Sequence, residues 1–180
     1  MRLKIIVFLL GILFVLCSGS VSFAQEPSPS PTPVNYTLPY PGLLPGHPFL
    51  FLKEARDVII GFFTSQPLKK AEFILLQADK NLQASYLLAT NKNGKTSLVV
   101  ATVTTAEDYF ADAIAKMQAA KSQGIDTRDF TKTLIEANLK HQEVIGQVLV
   151  SARKEDKEKI RKQLERAAQF GKKLQSMLQK

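Results

Sequence analysis

Residues 99–120, VVATVTTAEDYFADAIAKMQAA, decide the fold. Val99, Val103, Ala106, Phe110, Ala113, Met117 and Ala120 recur at spacings of four and three, the period that lines one side of an α-helix and neither side of a strand. The same period lies on both sides of this stretch. Upstream, Ser65 and Pro67 open a segment with Ala71, Leu75, Ala78, Leu82, Tyr86 and Ala89, closing near Asn93-Gly94. Downstream of Gly124, Asp126 suits an N-cap for a segment with Phe130, Leu134, Ala137, His141, Val144 and Val148. After a polar interruption at Ser151–Asp156 comes a last segment with Ile160, Leu164, Ala167, Gly171, Leu174 and Leu178. Ahead of them all, Pro48 fits the first turn of a shorter helix carrying Leu52, Ala55, Ile59 and Phe62 or Phe63. All nine prolines fall between Pro27 and Pro67, so nothing of that kind breaks the helices that follow. Short connections between seams of this period predict an all-α fold, an antiparallel helical bundle of about four to five helices. Small residues on the seams, Gly171 among them, predict close helix approach.

N-terminal to the bundle the composition changes twice. Arg2 and Lys4 precede an apolar run from Ile5 to Leu16, and Ser22-Phe23-Ala24 offers small residues at a cleavage site, so residues 1–24 read as a signal peptide and the mature chain is expected to start at Gln25. Uncleaved, Ile5 to Ala24 is long enough to span a bilayer once, and the protein would be membrane-anchored. The sole cysteine, Cys17, follows Leu16 where a lipidation site needs a small residue, and its loss with the signal leaves no thiol for a disulfide or a metal. Residues 25–38 form a Pro/Ser-rich linker in which alternate prolines favour extended polyproline II, read as disordered spacer. Asn35-Tyr36-Thr37 matches a glycosylation acceptor, a pattern common by chance. The domain proper is 39–180, beginning with a Pro/Gly strap over 39–47. The expected location is extracytoplasmic, in the cell envelope or secreted.

The strap is the most distinctive stretch. Pro41, Pro45 and Pro48 keep it irregular, while Tyr40, Leu43, Leu44 and Phe49, with His47, put apolar and aromatic side chains on a chain too stiff to hide them. It reads as a structural strap across one end of the bundle, with recognition by a partner protein as the functional alternative. Tyr40 to Asp57, together with Phe62-Phe63-Thr64, Lys70-Ala71-Glu72 and Ala78-Asp79-Lys80-Asn81-Leu82, resembles domain of unknown function 5667, a family of secreted or membrane-attached bacterial proteins. The resemblance covers Tyr40 to the C-terminus and is close as far as about Leu88; Phe49-Leu50-Phe51 lacks the tyrosine of many members. It implies a signal, a polar linker and a helical region, and lends no activity, ligand or catalytic residue.

Chemistry-bearing residues are few. Asp79 interrupts an apolar seam, and Arg56 is expected to reach it as a structural ion pair. His141 lies on the apolar seam of its helix, where a single histidine is more often a hydrogen-bonded core residue than a ligand. His47 has no second ligand at metal spacing, and Glu136 with Lys140-His141 has the wrong interval for a Glu-x-x-His metal pair. There is no nucleophile elbow, zinc-protease helix or phosphate-cradling glycine loop, so no catalytic residue, cofactor or metal is expected.

Charge is the uneven property. Residues 25–151 hold twelve basic and twelve acidic side chains, whereas 152–180 hold ten and four. Arg153, Lys154, Lys157, Arg161, Lys162, Arg166, Lys172 and Lys173 surround the apolar stripe of the last helix. The plain reading is a solvated bundle face; the sharper one is attraction to anionic headgroups or a cell-wall polymer. Nucleic acid is not expected, since no aromatic side chains interleave the charges along that helix for bases to stack on. The expected function is a non-enzymatic extracytoplasmic module, structural or partner-binding, whose partner is an unidentified protein or an anionic envelope component. The alternative is a small-ligand or metal carrier built in the bundle interior around Asp79 and His141.

Overall fold

A computed structural model describes residues 34–91 and 96–179. The expected signal, the linker up to Pro33 and the expected turn at Asn93-Gly94 lie outside the described residues. Five helices follow one another: α1 Leu50–Phe63, α2 Pro67–Thr90, α3 Thr96–Ser122, α4 Arg128–Ser151 and α5 Lys154–Leu178. No strand occurs among the described residues. The protein is an all-α bundle.

Local chemistry places the helix ends. Pro67 sits in the first turn of α2, where its missing N–H costs nothing. At the end of α3, Gly124 takes φ 80°, Ile125 N–H reaches Ala120 O at 3.2 Å and Gly124 N–H reaches Lys121 O at 3.0 Å, the paired bonds of a glycine-closed C-terminus. Asp126 stands one residue further out than expected: Thr127 is the cap position, and the Asp126 carboxylate accepts the Arg128 N–H at 3.0 Å. The expected interruption before α5 narrows to Ala152 and Arg153, both extended.

Helices α2 to α5 make the bundle. One apolar cluster joins Ala71, Leu75 and Ala78 to Phe110, Met117, Phe130, Leu134 and Leu174. The other joins Leu82 and Leu88 to Val99, Val103, Val144, Val148, Ile160 and Ala167. The order of residues between the clusters gives the directions: α2 and α4 run one way, α3 and α5 the other. The two hairpins, α2–α3 and α4–α5, are antiparallel as their short connections require. They stack with α2 beside α4 and α3 beside α5 in parallel, leaving α3 and α4 diagonal. Matched bonds from Gln163 to Thr104, Arg166 to Asp108 and Lys173 to Gln118 fix the α3–α5 register. The last helix therefore packs on the bundle. Gly171 is the point of closest approach, since a Cβ there would lie 2.6 Å from Asn138 Oδ1.

Two expectations fail in an instructive way. Helix α1 was read as another seam, yet it buries none of its residues against the rest of the described chain. Its contact side carries Lys53, Glu54 and Asp57 together with Leu50 and Val58, lining a groove of about 540 Å³ with Phe73 and Gln77 of α2 and Thr102 and Tyr109 of α3. The other side carries Phe51, Leu52, Ile59, Ile60, Phe62 and Phe63, from 42 to 80% exposed. The second concerns 25–38 and the strap. Tyr36 and Leu38, assigned to the linker, pack on the two core clusters. The strap thus runs along the flank of α2 instead of across an end, and turns at Gly46, φ 92°, beside Leu98. Every core residue among the described ones lies within Pro33–Lys180, one compact unit.

Candidate functional site

Buried ionisable side chains from three helices meet in the interior of the described bundle. His141 on α4 is fully buried, with Nδ1 2.7 Å from Glu107 Oε1 on α3 and Nε2 3.0 Å from Asp79 Oδ1 on α2. The Tyr36 hydroxyl donates to Asp79 Oδ2 at 2.6 Å from the segment before the strap. Burial works against the imidazolium, but the hydrogen bonds and charges of Asp79 and Glu107 outweigh it and raise the pKa to about 9. His141 is therefore cationic at neutral pH and donates from both nitrogens. Burial first, then the Asp79 charge and hydrogen bond, drive the Tyr36 pKa upward, so its hydroxyl keeps its proton. The Phe110 ring lies 4.7 Å from the imidazole, Phe170 of α5 stacks on Phe110, and Arg166 caps Phe170 at 5.4 Å. The ladder ties α3, α4 and α5 together through cation–π and ring contacts.

This arrangement corrects the expected ion pair. Arg56 does not reach Asp79; it binds Asp57 on its own helix at 2.7 Å. Asp79 is satisfied by Tyr36 and His141. The reason is the orientation of α1, which keeps Arg56 at the surface while Asp79 points into the bundle. The geometry also bears on the interior carrier. The imidazole stands between the two carboxylates and uses both nitrogens on them, so the three groups do not converge on a common point. Among the described residues no group of three or more potential ligands is placed to hold a metal. Glu107 and Tyr36 escaped the sequence reading. Glu107 occupies a seam position beside Ala106, four residues after Val103, and a lone carboxylate there was the available signal. Tyr36 is an aromatic in an otherwise Pro/Ser/Thr segment.

The second arrangement is external. On one border of the apolar side of α1, Lys53, Arg56 and Lys80 line a groove of about 380 Å³ with Tyr40, Pro41, Leu43 and Leu52. Lys53 Nζ donates to Pro41 O at 2.9 Å, anchoring the strap. Burial lowers the Lys53 pKa; Asp57 opposes this, while Lys80 and Arg56 add to it. The opposite border, toward α3, is acidic: burial, then Asp57, Glu54 and Asp112, raise the Tyr109 pKa. Of the strap residues singled out, Tyr40 is 80% and Phe49 57% exposed. Leu43 and His47 are exposed, and Leu44 is half-buried. The apolar surface thus continues from the strap into α1.

The cationic residues of α5 divide. Arg166 binds Asp108 at 2.6 Å, Arg161 binds Glu158 at 3.3 Å and Lys173 binds Gln118 at 3.3 Å. Lys157 is half-buried, while Arg153, Lys154, Lys162 and Lys172 are exposed. Helix α5 sits against α3 and α4, in the layer of the bundle away from α1.

The described residues thus form a four-helix bundle carrying a fifth helix turned apolar side out. No protein-family model, curated protein or solved structure matches the chain. Among the described residues no helix is long and apolar enough to cross a membrane.

Proposed function

We propose that the protein is a non-enzymatic, extracytoplasmic docking module: a bundle that holds out strap and α1 for attachment to another envelope component. The observation that carries this reading is the inversion of α1. A helix free to roll would turn Phe51, Leu52, Ile59 and Phe62 toward the bundle, since each apolar side chain moved from water to a core is worth about 1.5 to 3 kcal/mol. Here the side that carries Lys53, Glu54 and Asp57, with Leu50 and Val58, faces the bundle instead, and the Lys53–Pro41 bond ties it to the strap. An exposed apolar surface of this extent marks an interaction site. The resemblance of strap, α1 and α2 to domain of unknown function 5667 belongs to the same proposal and agrees with an exported chain.

The Tyr36–Asp79–His141–Glu107 network has the role of a structural lock in this reading. A buried ionic group that is hydrogen-bonded on several sides specifies one register of helices, and loss of one member leaves the others unpaired. The test is cover. In a chain starting at Gln25, which has no cysteine, Ile59→Cys should react with a charged maleimide in buffer and become protected when the envelope fraction is added. Lys162→Cys on α5 should react equally in both. Equal reactivity of Ile59→Cys with and without envelope would remove the docking reading.

A further inference from the structure

We infer that what covers α1 is a lipid bilayer surface, with the apolar side of the helix at the level of the acyl chains and the Lys53–Arg56–Lys80 groove at the headgroup phosphates. The inference rests on the docking reading above and names its partner. Two features favour lipid. The outward side, from Phe51 through Ile59 to Phe63, has no hydrogen-bonding side chain on its centre line, which suits acyl chains and would leave a protein partner with nothing polar to orient it. Cations then gather along one border, where Lys80 and Arg56, the latter also held by Asp57 at 2.7 Å, lie beside the exposed ring of Tyr40. Apolar side chains below, with a tyrosine and long basic side chains at the edge, are the pattern of a helix lying in the interface plane.

Attraction of this kind is mainly apolar and differs from a purely electrostatic hold through α5, which molar salt would abolish. The experiment uses the chain from Gln25 to Lys180 and sedimentation with vesicles of mixed phosphatidylcholine and phosphatidylglycerol. The wild-type chain should be retained, and raising NaCl to molar strength should weaken retention by no more than about threefold. Ile59→Asp combined with Phe62→Asp should reduce it by about tenfold or more with helicity unchanged by circular dichroism. Arg56→Glu with Lys80→Glu should give a smaller loss that is larger on phosphatidylglycerol-rich vesicles. Arg161→Glu with Lys162→Glu, on the far layer, should leave retention as it was. Retention that ignores the α1 changes, or that disappears in molar salt, overturns the inference. So does a dimer in lipid-free buffer that the α1 changes convert to monomer, since the occupant would then be a second copy. Ile59→Cys protected by the envelope fraction but not by these vesicles would remove lipid and leave docking in place; protected by neither, it removes both.

Discussion

Helices α1 and α5 are opposites in composition and opposites again in fate. Of the described helices the most apolar, α1, has no fully buried residue, and the most polar, α5, inserts Ile160, Ala167 and Leu174 into the core. What separates them is not the amount of apolar surface but whether a neighbour offers a complementary groove. For α5, the small residues Ala167 and Gly171 let the backbone approach Asn138, whose amide donates to Ala167 O at 2.9 Å. For α1, the facing side chains of α2 and α3 include Gln77, Asn81 and Thr102, which leave a groove instead of a packed seam. Apolar content indicates how much a helix could bury; the partner surface sets how much it does.

The contrast breaks first under a charge placed at equivalent positions. Ile160→Asp puts a carboxylate at a site with no solvent exposure and should cost about 4 kcal/mol or more, enough to unfold the bundle. Ile59→Asp, at a site 58% exposed, should stay within about 0.5 kcal/mol. Urea titrations followed by circular dichroism compare them, and an equal loss at both would mean that α1 packs inward. The next largest effect sharpens the interior. His141 titrates near 6.5 when unfolded and at about 9 when folded, so its contribution is complete below pH 6.5 and disappears as pH rises through 9. The loss is on the order of 3 kcal/mol. It should appear as a falling urea midpoint over that window and vanish in His141→Gln, while α1, remote from Asp79 and Glu107, contributes no such slope.

Gly171→Ala comes third. The added Cβ meets Asn138 Oδ1 at 2.6 Å, and because that amide is held by Ala167 O and Gln142, the strain should exceed the gain in helix propensity by about 1 to 2 kcal/mol. A smaller penalty for Gly171→Ala in a chain that already carries Asn138→Ala would locate the strain in that contact; an unchanged penalty would place it elsewhere. Smallest is Arg166→Ala. The Asp108 partner is 60% exposed, so the thermal midpoint should fall by the equivalent of about 1 kcal/mol or less, and less still in high salt.

Much of the bundle was legible because its signals are local. The four-three seams of α2 to α5, Gly124 after α3 and the polar break before α5 each follow from neighbouring residues. The close approach at Gly171 and the core position of His141 followed from the same seams. The partners of His141 were not legible, because Asp79 and Glu107 are 62 and 34 residues away and a period says which residues face inward without saying which face each other. The Arg56–Asp79 expectation failed for that reason: both residues were placed on the right helices, and the roll of α1 separated them. Tyr36 was not legible because the prolines before it are a local mark of a spacer, whereas its partner Asp79 lies 43 residues away.

By itself, then, the sequence determined that this chain makes helices, where they end to within a residue or two, and that His141 and Asp79 fall on apolar seams; these depend on backbone hydrogen bonding and side-chain period within a few residues. The tertiary structure alone decided that the α2–α3 and α4–α5 hairpins stack in parallel, that Tyr36 closes the buried network, and that α1 turns its apolar side outward. Each of those is a choice among packings with the same local pattern, made by which surfaces fit and which polar groups find partners across the chain.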